Sequence, residues 1–93
     1  MSELSLIKVT KVAPMGGHRL RLSFSDGSMG ERDFSDILAS DGLMLEPLRD
    51  AAYFRRVFLD MGTPTWPNGY DLAPHALHAE MQAAGLLRQP AAE

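Results

Sequence analysis

A chain of 93 residues is one domain's worth of sequence, and its 45% apolar content suffices for a single core without staples. The absence of cysteine excludes disulfides, thiolate nucleophiles and sulfur-ligated zinc. A formal charge of −3 argues against direct nucleic-acid binding, which needs clustered Lys and Arg to neutralise phosphates.

No basic segment leading into an apolar run opens the chain, and no apolar stretch approaches the length of a membrane span. A cytoplasmic protein with no membrane partner is therefore expected. Leu4 to Ala13 mixes Leu, Ile and Val with Lys8 and Lys11 out of strict alternation, and reads as a strand with a bulge. Pro14 and Gly16-Gly17 end it. Leu20, Leu22 and Phe24 then alternate with Arg19, Arg21 and Ser23, the pattern of a half-buried antiparallel strand. Asp26-Gly27 predicts a two-residue hairpin turn into a third strand over Met29 to Phe34.

Ser35 is positioned to cap a short helical turn ending near Asp41-Gly42, and Pro47 and Asp50 signal further helix starts before Ala51 to Arg55. Leu48 and Phe54 would then face the core. Val57 and Leu59 alternate with Phe58 in a fourth strand, Gly62 turns the chain, and Thr63 to Trp66 gives a fifth that Pro64 confines to an edge. The final helix runs from Pro74 to about Ala84 with Leu77, Met81 and Ala84 on one face; Gly85 is placed as its left-handed cap and Leu86 as the accompanying apolar contact. Gln89 to Glu93 has nothing to pack against and reads as a frayed tail beyond a single domain over residues 1–88.

The densest local signal is Trp66-Pro67-Asn68-Gly69-Tyr70-Asp71-Leu72-Ala73-Pro74. Asn-Gly favours positive φ, Pro67 cannot donate to a ladder, and Pro74 suits the first position of a helix, so the run reads as strand end, tight turn and helix start. It specifies a fold and no reaction. Together with Phe24-Ser25-Asp26-Gly27, Asp33-Phe34, Leu48-Arg49-Asp50, Phe54, Val57 and Leu59-Asp60, it makes the chain resemble the bacterial and archaeal domain-of-unknown-function family 2442 over roughly residues 6 to 80. The resemblance implies an α+β domain without established catalytic residues. Relatives stand alone or joined to a helix-turn-helix segment, and some lie beside small toxin-like proteins, which implies regulation or partner binding. The residue before Pro74, often acidic in the family, is here Ala73, leaving Asp71 to supply the capping oxygen.

Chemistry-bearing residues are sparse. Asp71, His75 and His78 are the one cluster of metal-ligand types, with the two histidines at i and i+3 on a helix, and they frame the alternative reading of a small metal- or ligand-binding protein. A solvated His75 and a capping Asp71 explain the same letters without a metal, and no cofactor is expected. Ser35, His18 and Asp33 supply the letters of a catalytic triad, but a triad is defined by geometry. No enzyme activity is expected. Arg19 and Arg21 point away from Leu20 and Leu22, and with Arg32 on the next strand and an outward Phe58 they form the candidate interaction surface. Pairing of these arginines with Glu31 and Asp33 would leave an ordinary solvated face.

The expected fold is a two-layer α+β domain, an antiparallel sheet of about five strands covered on one face by the short helical turns and the C-terminal helix. The expected function is a non-enzymatic protein-binding or regulatory module, antitoxin-like, that acts through a protein partner or as a homodimer.

Overall fold

Alternation in Arg19–Phe24 sends Leu20, Leu22 and Phe24 into the interior and leaves Arg19 and Arg21 in solvent, and this strand is the centre of the molecule. The computed structural model describes residues 7–40 and 42–88. In chain order it has β1 (Val9–Pro14), β2 (Arg19–Phe24), β3 (Met29–Asp33) and α1 (Ser35–Leu38), then 3₁₀ turns at Leu43–Leu45 and Pro47–Arg49. There follow α2 (Ala51–Phe54), β4 (Phe58–Asp60), β5 (Thr63–Thr65) and α3 (Pro74–Ala83). The expected strand residues Leu4 to Leu6, Asp41 and the tail Gln89 to Glu93 lie outside the described residues.

The fold is α+β with antiparallel pairing throughout, but the five strands form two sheets and not one. β1, β2 and β3 make a three-stranded meander, and β4 with β5 is a separate hairpin. The Val9 N–H reaches the Gly62 carbonyl at 2.9 Å, and a bulge between Val9 and Lys11 then turns β1 away from the hairpin. Pairing stops where that twist begins.

Both turn types of the molecule have a physical signature. Met61 and Gly62 each have positive φ, 53° and 84°, so the β4–β5 connection is the two-residue turn that matches strand twist. Phe24–Ser28 is built differently: Phe24 accepts from the Gly27 N–H at 2.9 Å and donates its own N–H to Ser28 at 2.8 Å. Only Gly27 has positive φ there, 92°, which makes a three-residue loop with a bulge in place of the expected two-residue turn. Trp66–Tyr70 repeats it, with Gly69 N–H to Trp66 at 2.8 Å, Trp66 N–H to Tyr70 at 2.9 Å and Gly69 at φ 93°. In each copy the residue before the glycine accepts from the residue after it, Ser28 N–H on Asp26 Oδ1 and Tyr70 N–H on Asn68 Oδ1. Asp-Gly and Asn-Gly thus close the same turn.

The second copy folds the chain back on β5, so Thr65 bridges Asp71 and β5 is not a bare edge. Pro64 has no N–H, and a single bond from the Leu72 N–H to its carbonyl, 3.0 Å, closes that pairing. At the end of α3, Gly85 (φ 73°) takes the left-handed position while the Leu86 N–H bonds the Met81 carbonyl at 2.9 Å. The chain then runs out beside β3, where Arg88 and Met29 exchange two backbone bonds. Gly30 permits this approach, since a β-carbon there would overlap the Leu86 carbonyl. Leu87, not Leu86, is the residue of this segment that packs on the core.

The core lies between the inner face of β1–β3 and the helical pieces, with Leu20, Leu22, Phe34, Leu48, Phe54, Trp66, Leu77 and Met81 buried. Each large apolar side chain so enclosed contributes roughly 1.5–3 kcal/mol. The helical turns are too short to stand alone, and local bonds define them. Phe34, and not Ser35, is the N-cap of α1 and no side chain caps it; Ser35 is the first helical residue, and Asp33 Oδ1 accepts from its N–H at 2.8 Å and hydroxyl at 2.6 Å. Arg49 reaches back to the other end of α1 and bonds the Leu38 and Ser40 carbonyls at 2.7 and 2.6 Å. Asp50 caps α2 through the Ala52 N–H.

Candidate functional site

The register of the first hairpin decides which residues share a face. Arg21 stands opposite Glu31 and Arg19 opposite Asp33, while Leu20 stands opposite Arg32. Arg32 therefore belongs to the core face, and the expectation that it joins Arg19 and Arg21 is corrected. It is 8% exposed, bonds Glu80 of α3 at 3.0 Å, lies 3.5 Å from Asp36, and stacks 4.6 Å over the Phe34 ring. Arg32 is a structural strut between sheet and helix.

On the outer face Glu31 binds both neighbours, Arg19 Nη2 at 3.1 Å and Arg21 Nη2 at 2.9 Å, with Arg21 Nε at 3.3 Å. Bonds from Arg21, with the positive charges of Arg21, Arg19 and Arg88, hold the Glu31 carboxyl below the usual glutamate value. Arg88 is the arginine that sequence reasoning missed. The cap at Gly85 and the bridge to Met29 deliver it to this face, where Arg19, Arg21, Glu31, Met29, Leu86 and Arg88 line an open groove of about 610 Å³. The signal available was a Leu-Leu-Arg run just past a helix-capping glycine. Phe58 is 45% exposed on the β4–β5 hairpin and does not line this groove.

The metal-ligand letters separate. His78 Nε2 lies 2.9 Å from Asp26 Oδ2, and its ring meets Phe24 edge-on at 5.0 Å, so α3 is pinned to the first hairpin turn. His75 is exposed, and among the described residues no three His, Cys, Asp or Glu side chains converge to hold a metal ion. Asp71 does not cap α3. The N-cap of that helix is Ala73, without a side-chain bond, and Asp71 instead pairs its backbone with Thr65. Burial, then the charge of Asp71, raises the Tyr70 phenol above its usual value.

Ser35, His18 and Asp33 do come near one another, in an order unsuited to acyl transfer. The Ser35 hydroxyl is bonded to Asp33, and His18 Nε2 bonds the Arg49 carbonyl at 2.9 Å while its ring packs edge-on against Phe54 at 5.2 Å. Asp33 is held below the usual aspartate value by the Ser35 hydroxyl and amide.

The run from Trp66 to Pro74 makes contacts within the fold. The indole N–H of Trp66 bonds the Phe54 carbonyl at 2.8 Å, and Asn68 Nδ2 bonds the Met44 carbonyl at 3.0 Å. Pro74 opens α3.

Among the described residues no helix is long and apolar enough to cross a membrane. No curated protein and no solved structure matches the chain. The model of the family described as a protein of unknown function, DUF2442, matches residues 9–83, from the start of β1 to the end of α3. That span takes in both three-residue turns and nearly all of the core, and the chain belongs to DUF2442.

Proposed function

We propose that the chain is a non-enzymatic protein-binding or regulatory module, antitoxin-like in role and cytoplasmic, which works through the outer face of β1–β3. The partner is a second protein or a second copy of the chain. One observation carries the reading: among the described residues every helical piece packs on the inner face, and none covers the outer face, where Arg19 and Arg21 are about half exposed with Met29 beside them. The non-enzymatic part draws support from His18 Nε2, which bonds the Arg49 carbonyl, and from the Ser35 hydroxyl, which bonds Asp33, so the two are not aimed at one another.

Co-purification with the product of the neighbouring gene, alongside analytical ultracentrifugation, tests this. Arg21→Glu is expected to weaken association by about 1 to 3 kcal/mol with the melting temperature little changed, because truncating a contact residue costs binding and an exposed ion pair contributes little to folding. Phe58→Ala asks whether the second hairpin shares the surface. A monomer that captures nothing, or an Arg21→Glu variant that binds as the parent does, would remove the reading's support.

A further inference from the structure

Charge on the outer face is opposite in sign to that of the chain as a whole. The register places Lys11, Arg19 and Arg21 there, and the bridge to Met29 adds Arg88. Among the described residues two carboxylates, Glu31 and Asp33, answer these four cations, although the chain's formal charge is −3. Asp33 spends one oxygen on the Ser35 amide and hydroxyl. Among the described residues Arg88 makes no salt bridge, and each guanidinium has five N–H donors, of which Glu31 takes one from Arg19 and two from Arg21. Glu31 thus holds two guanidinium groups in place without saturating them.

We propose that the groove between β3 and the segment after α3 receives an acidic peptide segment of a protein partner, with an apolar side chain beside its carboxylates. The proposal rests on the binding-module reading and names the partner's chemistry. Carboxylates of the incoming segment take the open donors of Arg19 and Arg88, and its apolar residue meets Met29 and Leu86, which are 41% and 39% exposed at the groove. Glu31 is the internal competitor, a carboxylate already seated where an incoming one is attracted. A nucleic-acid backbone suits the site less well. It is repelled by the acidic remainder of the chain, needs a longer run of cations than one groove supplies, and has no use for Met29 and Leu86.

The test is NMR titration of the full chain, following the arginine Nε–H signals, with an acetylated and amidated Glu-Leu-Glu-Glu peptide at low salt. A Gln-Leu-Gln-Gln peptide, an oligothymidine and inorganic phosphate are the comparisons. The acidic peptide is expected to shift Arg19, Arg21 and Arg88 and the glutamine peptide to leave them still. Arg88→Glu is expected to weaken binding about tenfold, and Glu31→Gln to strengthen it about fivefold by removing the competing charge. A structural role for Glu31 alone predicts the opposite sign, so unchanged or weaker binding by Glu31→Gln overturns the inference. So do equal shifts from phosphate, or tighter binding of oligothymidine. Rejection of the acidic peptide overturns it as well, and if Arg21→Glu still weakens capture of the neighbouring gene's product, the binding-module reading survives that loss.

Discussion

Trp66 donates its indole N–H to the carbonyl of Phe54, the last residue of α2, at 2.8 Å, and the two rings lie 5.4 Å apart at a tilt of 39°. One side chain therefore ties the second hairpin to the helical layer by packing and by a buried polar bond. Trp66→Ala is expected to cost about 3–5 kcal/mol, as large core truncations do. Trp66→Phe keeps much of the volume and leaves the Phe54 carbonyl with only the long 3.4 Å bond from the Val57 N–H, at about 1–2 kcal/mol. Urea midpoints give both values, and iodide quenching of the native indole as strong as that of the unfolded chain would contradict the packing.

The twin turns supply their own control. Since Asp26 and Asn68 accept the same backbone bond in two copies of one turn, Asn68→Asp keeps the Tyr70 contact and gives up only the bond to the Met44 carbonyl. A cost of about 1 kcal/mol is expected. Gly69→Val instead forces a β-branched residue to φ 93°, beyond the small left-handed region open to other residues, and should cost several times more. Equal melting temperatures for the two variants would mean that the turn is built otherwise.

Acid should loosen the fold through three carboxylates. Burial alone would raise Asp26, but bonds from the Ser28 hydroxyl and amide and from His78 outweigh it and hold it low; Asp33 and Glu31 are held low by Ser35 and Arg21. The unfolded chain takes up these protons at a higher pH than the folded one, so their stabilisation is complete above about pH 5 and is lost as the pH falls below about 4. The urea midpoint is expected to drop between pH 7 and pH 3, and to drop less in Asp26→Asn. A midpoint indifferent to pH in that range would count against the bonds drawn to Asp26.

Much of the inner architecture was legible because alternation and capping are local. Leu20, Leu22 and Phe24 announced a buried strand face, Asp50 announced α2, and Gly85 announced the end of α3. The outer surface was less legible because it depends on register. With a two-residue Asp26-Gly27 turn Arg21 would face Arg32, and both would point outward. The extra residue in the actual loop shifts the pairing by one, sends Arg32 inward beside Leu20 and brings Glu31 opposite Arg21. A single misread turn thus exchanged a buried strut for a surface cation. Arg88 was out of reach for another reason: its partner Met29 lies 59 residues earlier, and nothing local encodes that bridge. Asp71 failed as a cap because the returning turn commits its backbone to Thr65.

Shortening that loop tests the register argument directly. Deleting Ser25 leaves Asp26-Gly27 as a two-residue connection, for which Asp-Gly has the right chemistry, so the local turn itself is not penalised. Phe24 still stands opposite Ser28, so the native pairing is kept, with Arg32 inward and Glu31 opposite Arg21; the cost is local, in the Ser25 amide and hydroxyl bonds to the Lys8 backbone. Asp26 would also lose its alignment with His78, freeing α3 from the hairpin. The variant is therefore expected to lose about 1–3 kcal/mol and to keep a well-dispersed NMR spectrum. Substituting Ser25→Ala, which removes a hydroxyl bonded to the Lys8 N–H and preserves loop length, should cost about 1 kcal/mol. A deletion variant whose NMR contacts no longer place Glu31 opposite Arg21 would show that the pairing of Phe24 with Ser28 does not set the faces of β3.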